Sequence, residues 1–398
     1  MIVRNAFVYT ADQVFEKREI YIREGKFAER AEGEEGEEVL DAEGCFAIPG
    51  LLDIHFHGAM GYDICDASWE AYERIAEYEA ANGITAICPA TMTLPVPELE
   101  NVLKLGAEFS KSGKRGADLV GFNMEGPFIS HVRKGAQNEK YIIPCSSETV
   151  DRFIRASEGL LRIIGLAPDE NPDFESFIRE NRGKLILSLA HTDAGYEEAR
   201  RAFLAGASHV VHLYNAMRGL HHRDPGLVGA AADSPGVNAE LICDGIHVHP
   251  AAVRAAFRLL GKERILLISD SLRTAGMPDG EYPFTGQTVV KRGSRCTLKE
   301  SGNLAGSVSN LMDCLRCAVL QMGIPLEDAV ACASIQPARA IHVEDRYGSI
   351  EDGKRGNLVL LRRDGKLSLE KVIKDGEVLG RGLYAGKRET GFRRKGAL

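Results

Sequence analysis

The chain has 398 residues, 44% of them hydrophobic, and a formal net charge of −8. That length holds one large α/β domain beside a smaller one, and the apolar content excludes disordered and fibrous classes. The negative balance argues against a surface built for nucleic acid or anionic lipid; no run approaches the roughly 18 apolar residues of a membrane helix and no leader pattern precedes VRNAFVYT, so a cytoplasmic protein acting on a small molecule is expected.

Residues 1–49 read as short strands of alternating polarity, IVRNAFVYT, REIYIREGKFAE and CFAIPG. The acidic run Glu32, Glu34, Glu35, Glu37 and Glu38 is expected as a solvated hairpin tip. Between residues 50 and 271 come eight apolar runs: GLLDIHF, ITAICPA, LVGFNME, LRIIGLA, LILSLAH, HVVHLYN, AELICDG and ILLISDS. Stretches with helical spacing separate them, among them WEAYERIAEYEAANG and YEEARRAFLAGA. Unbroken apolar runs mean strands covered on both faces, and eight βα units fit a closed parallel barrel. A doubly wound open sheet is the alternative, but it would not draw site residues from strands all round.

Toward the C-terminus, SVSNLMDCLRCAVLQMG reads as one amphipathic helix carrying Cys314 and Cys317, without the second pair that a metal site would need. The nine cysteines are odd in number and scattered, which suits reduced thiols. GNLVLLRRDGKLSLEKVIKDGEVLGRG repeats the style of the first strands. The expected architecture is a (β/α)8 TIM-like barrel over residues 50–355, with a small β-sandwich built from residues 1–49 and 356–398.

Five of the eight runs end in residues that bind metal or move protons. His55 and His57 lie two apart in LDIHFHG, so on a strand both face the barrel mouth and can clamp a divalent ion. Glu125 precedes a Gly-Pro pair expected to stop its strand at the rim. With His191 and His212 it makes three protein ligands around an open position, the pattern of a catalytic centre. Asp270 ends the last run and is placed to take a proton from a water held at the metal and return it to a leaving amine. His247 or His249 is a candidate to polarise a carbonyl, and Arg223, with His221 and His222, forms a basic loop suited to phosphate. His131, His209 and His342 lack supporting context and are expected at the surface or in packing.

These segments resemble the amidohydrolase superfamily and, within it, the N-acetylglucosamine-6-phosphate deacetylase family. The resemblance rests on PGLLDIHFHG, NMEGPFIS with RKGAQ, LAHTDAGYEEA, HLYNAMRGLHHRDPGLVGAA, CDGIHVHP, LISDSLRTAGMPDGEY and NLAGSVSNLMDC, in family order along nearly the whole chain. It implies hydrolysis of the N-acetyl group of N-acetylglucosamine 6-phosphate to glucosamine 6-phosphate and acetate, in amino-sugar catabolism or cell-wall recycling. It further implies Glu125, His191 and His212 as principal metal ligands and Asp270 as acid/base. Substrate contacts would come from Ala136, Gln137, Asn215, Ala216, Arg223, Asp244, His247, Leu304, Ala305 and Gly306. A homodimer would bring the Arg223 loop to the neighbouring phosphate site. One or two divalent metals are implied, zinc first, with iron, manganese or cobalt as alternatives; His55 and His57 make the second possible. A deacetylase of another N-acetylated sugar phosphate, or a non-catalytic barrel that binds such a sugar, are the competing readings.

Overall fold

The structure, a computed structural model, describes residues 1–29, 38–113 and 115–380. The acidic run at 32–37 and the chain beyond 380 lie outside the described residues.

Eight strands form the centre: β1 (Leu51–Asp53), β2 (Ile84–Ile87), β3 (Phe122–Phe128), β4 (Leu161–Leu166), β5 (Ile186–Leu189), β6 (His209–Val210), β7 (Asn238–Ile242) and β8 (Ile265–Ile268). Neighbours pair in parallel from β3 to β8, and β1 pairs in parallel with β2. Parallel bridges from Ala90–Thr91 to β3 and from β2 to Asp118–Leu119 join the two sets. Beyond the strand ends Asp270 N donates to His55 O at 2.9 Å and His57 N to Ser271 O at 2.7 Å, so the backbone continues the ring from β8 to β1. The fold is a TIM-like barrel.

Each strand is followed by a helix, beginning with Trp69–Ala81 after β1 and reaching Leu311–Leu320 after β8. The helices start where the sequence supplies caps. Ser68 accepts from Ala71 N, Ser146 from Thr149 N and Asn310 from Asp313 N, which satisfies amides with no partner inside the helix. Aliphatic residues fill the barrel interior, among them Leu52, Ile54, Ile163, Ile242 and Ile268, and the helix Ile335–Ala340 adds Ala338 to the same cluster. Gly165 on β4 has a spatial reason: a Cβ there would stand 2.5 Å from Glu125 O, so only glycine lets β3 and β4 approach.

Segments near the two ends of the chain share a six-stranded sheet, in which Cys45–Pro49 lies between Phe7–Tyr9 and Leu358–Arg362. A four-stranded sheet packs on it through Val3, Val8, Ile22, Phe27, Ala47 and Leu360. Between β8 and its helix a three-stranded antiparallel sheet spans Gly280–Phe284, Gln287–Arg292 and Arg295–Leu298. Gln287 Nε2 donates to Ala136 O at 3.2 Å, which fastens this sheet over the loop after β3.

Two details differ from the sequence expectation. His55 and His57 follow β1 rather than lie on it, because Asp270 and Ser271 take up the backbone beyond Asp53. Glu125 does not end its strand either: β3 runs on through the cis Gly126–Pro127 peptide to Phe128, which still pairs with Leu166 on β4.

Candidate active site

At the carboxyl ends of the strands, Glu125 stands between two pairs of histidines. His191 Nε2 lies 2.9 Å and His212 Nε2 2.8 Å from Glu125 Oε1, and the two nitrogens are 3.2 Å apart. On the other side His55 Nε2 is 3.5 Å from Oε1 and His57 Nε2 is 3.6 Å from Oε2. Asp270 Oδ1 completes the ring, 3.3 Å from His57 Nε2 and 3.7 Å from His55 Nε2. All six side chains are buried.

Ring orientations follow from what the far nitrogens touch. His191 Nδ1–H donates to Arg133 O at 2.7 Å and His57 Nδ1–H to Ala90 O at 3.0 Å; carbonyls only accept, so in the neutral rings the bare lone pairs sit on Nε2 and face inward. A bare imidazole nitrogen facing a carboxylate oxygen is repelled by it unless a cation lies between them. The 3.2 Å nitrogen separation is close to the edge of a tetrahedron with metal–nitrogen bonds of ~2.0 Å, about 3.3 Å. His55 Nε2 is moreover a buried nitrogen without a hydrogen-bond partner. The triplets Glu125–His191–His212 and His55–His57–Glu125 each fit a divalent metal.

Electrostatics agree with that fit. Burial alone would raise the Glu125 carboxyl, yet His191, when protonated rather than metal-bound, outweighs it and holds the carboxyl well below the usual carboxylate range. Burial opposes ionisation of Asp270 as well, and His57 and His55, when protonated rather than metal-bound, outweigh it and lower its pKa. His247 is buried against Asp244, whose Oδ2 is 2.8 Å from Nδ1. Burial works to neutralise this imidazole, but the Asp244 hydrogen bond and charge outweigh it and raise its pKa.

The cluster opens into a cavity of about 480 Å³. His57, Glu125, His191, His212, His247 and Asp270 line it, as do Ala136, Gln137, Asn215, Ala216, Leu304, Ala305 and Gly306. Gln137 is already engaged: its amide nitrogen donates to Glu125 Oε2 and its oxygen accepts from Thr93 N. Gly135, at φ +56°, passes close to the His191 ring, where a Cβ would stand 3.2 Å from Cε1.

Other expected residues lie outside the cavity. His55 is sealed beneath it, Asp244 stands behind His247, and His249 caps the helix Pro250–Leu260 by accepting from Ala251 N. Arg223 is exposed on its loop, 2.7 Å from His222, and does not reach this chain's own cavity. His131 and His342 are exposed, though His131 reaches the cavity mouth. His209 is neither a surface nor an ordinary packing residue: it is fully buried and donates from Nε2 to Glu240 at 2.9 Å. The sequence reading also missed the apolar wall formed by Met92, Leu272 and Phe284, and the ion pairs in which Asp193 joins Arg133 to Arg218, each at 2.7 Å.

Three of the converging residues have left-handed backbone, His191 at φ 44°, His212 at 28° and Asp270 at 48°. Non-glycine residues avoid that region, and its recurrence at strand ends marks a site whose side chains are held against local preference.

Known proteins resemble this chain in sequence and in fold. The chain is 36% identical over 332 residues to N-acetylglucosamine-6-phosphate deacetylase of Vibrio furnissii, covering 83% of this chain and 82% of that protein. It is 34% identical over 330 residues to N-acetylgalactosamine-6-phosphate deacetylase of Escherichia coli O157:H7, covering 83% and 86%. The crystal structure of N-acetyl-D-glucosamine-6-phosphate deacetylase from Mycobacterium smegmatis matches with a TM-score of 0.87 at 27% identity, over 96% of this chain and all of that one. Residues 46–379 match the amidohydrolase family as a whole. By this match, and with its barrel and histidine–carboxylate centre, the chain belongs to the amidohydrolase family.

Proposed function

We propose that this chain hydrolyses the N-acetyl group of N-acetyl-D-glucosamine 6-phosphate to D-glucosamine 6-phosphate and acetate. The observation that carries the reading is the convergence of Asp270 with Glu125, His191 and His212 on one cavity, in a chain whose relatives bear the names of amino-sugar-phosphate deacetylases.

Glu125, His191 and His212 would hold one divalent cation, and His55 and His57 with Glu125 a second. Zinc suits the nitrogen-rich set best, with iron, manganese or cobalt as alternatives. When bound, such a cation polarises the amide carbonyl and makes water acidic enough to attack near neutral pH. Asp270 Oδ1 faces the cluster from the cavity side, placed to take a proton from the attacking water and pass it to the amide nitrogen as the C–N bond breaks. His247, whose pKa Asp244 raises, is placed to donate to the carbonyl oxygen as negative charge develops there. Gln137 is the weaker candidate for that role because Glu125 and Thr93 already occupy its amide; it steadies Glu125 instead.

Asn215, Ala216 and the Leu304–Gly306 segment line the cavity where the sugar would lie. The exposed Arg223 supports a homodimer in which its guanidinium serves the neighbouring subunit's phosphate site. Among the described residues no helix is long and apolar enough to cross a membrane, which fits a small polar substrate met in water.

The test is acetate release from N-acetylglucosamine 6-phosphate, its unphosphorylated sugar and N-acetylgalactosamine 6-phosphate, using protein of counted metal content. Preference for the first supports the reading in full. The galactosamine relative gives the third sugar a specific claim, and preference for it would change the epimer while keeping the chemistry. No turnover with metal in place would favour a binding protein.

A further inference from the structure

Beneath the histidines lies a second polar cluster that no step of the reaction uses. Glu240, on β7, is fully buried, and its two oxygens accept four hydrogen bonds. Oε2 accepts from His55 Nδ1 at 2.7 Å and from the backbone N of His212 at 3.1 Å. Oε1 accepts from His209 Nε2 at 2.9 Å and from Asn123 Nδ2 at 3.1 Å. Asn123 also donates to Ile54 O at 3.0 Å, so one carboxylate ties the segment after β1 to β3 and β6. Burial would neutralise such an acid, but the donors His55 and His209 beside it hold it far below the carboxylate range. A carboxylate with every lone pair engaged by a donor has little freedom to turn.

The consequence falls on His55. With Nδ1–H committed to Glu240, its Nε2 is a bare nitrogen without a hydrogen-bond partner, facing Glu125 Oε1 at 3.5 Å and Asp270 Oδ1 at 3.7 Å. We infer that Glu240 is the positioning residue for the cation site formed by His55, His57 and Glu125: it fixes which nitrogen of His55 carries hydrogen and thereby gives that site its third ligand atom. The other site does not depend on it in this way. His191 is oriented by the backbone carbonyl of Arg133, and His212 meets Glu240 only through its backbone N. Outer carboxylates that orient a ligating imidazole commonly change metal affinity by about 10- to 100-fold. The inference rests on the metal reading of the centre, not on which sugar is the substrate.

The substitution that tests it is Glu240→Leu, which has nearly the same size and offers no acceptor, so that the His55 ring loses its reason to keep hydrogen on Nδ1. Zn²⁺ is titrated calorimetrically into chelator-stripped wild type, Glu240→Leu, His55→Ala and the double variant, with thermal midpoints recorded alongside. We expect two cations in the wild type. In Glu240→Leu the tighter one is unchanged and the weaker one loses about 10- to 100-fold in affinity. The double variant should bind no worse than His55→Ala alone. Equal weakening of both sites, additive losses in the double variant, or a wild type that takes one cation regardless of His55 would each overturn the role of Glu240. A wild type that takes no cation would overturn the metal reading as well. Should Glu240→Leu not fold, nitrogen-15 histidine spectra of stripped wild type decide, with His55 assigned by its loss in His55→Ala: hydrogen on Nδ1 supports the inference, and hydrogen on Nε2 alone removes it.

Discussion

On one side of Glu125 the Nε2 atoms of His191 and His212 stand 2.9 and 2.8 Å from its Oε1; on the other, His55 and His57 stand 3.5 and 3.6 Å from its oxygens. In the closer pair a main-chain carbonyl fixes His191. The wider pair is shared with Asp270; the main-chain carbonyl of Ala90 holds His57, and His55 alone leans on the Glu240 carboxylate. A main-chain acceptor cannot be lost by substitution, whereas a side-chain carboxylate can. The wider side can therefore be weakened by a substitution at Glu240, and it is also where chemistry and metal occupancy meet.

The sharpest break between them comes from Asp270→Asn. It should leave the closer set intact, so that bound metal persists, while kcat falls by about a thousandfold or more because an amide cannot accept the proton. Metal analysis beside acetate release checks this, and retained activity would remove Asp270 as the base. Next in size is His191→Ala, which should cost more metal affinity than the 10- to roughly 100-fold typical of an outer partner, whereas His57→Ala should spare the tighter cation. Calorimetric titration separates the two, and identical behaviour would erase the distinction between the sides. Arg223→Ala removes a charge-assisted contact and should lower kcat/KM for the phosphorylated sugar by about 10- to 100-fold, with little change for the unphosphorylated one. An equal loss on both sugars would discard the phosphate role.

The smallest expected effect is a displacement along the pH axis. His247 is cationic below its raised pKa and loses its charge as pH rises through that value, so it sets an alkaline limb in kcat/KM. Asp244→Asn withdraws the charge that holds the pKa up, and the limb should move to lower pH. A limb that stays in place would show that His247 does not titrate in the reaction.

Much of this was legible before any coordinates. The eight apolar runs are the eight strands, because a strand covered on both faces leaves no polar alternation to blur it. Glu125, His191, His212 and Asp270 stood out for the same reason, each being a polar residue that interrupts or ends such a run. Glu240 sits just as conspicuously in AELICDG, and the missed signal was the burial itself: a carboxylate inside a doubly covered strand must have partners. His209 could not be assigned without it, since its significance lies in a residue 31 positions away. Met92, Leu272 and Phe284 carry no mark of their role, because an apolar side chain on a cavity wall and one in a core read alike in sequence. Arg133 and Arg218 meet on Asp193 only after separate loops have folded over the barrel mouth.

The left-handed backbone at His191, His212 and Asp270 has a consequence for selection. Each such residue costs roughly 1–3 kcal/mol that asparagine or glycine would partly return. A screen of random variants for heat tolerance would be drawn to these three positions and would enrich proteins that outlast the parent and do nothing, so such a screen needs an activity gate from its first round.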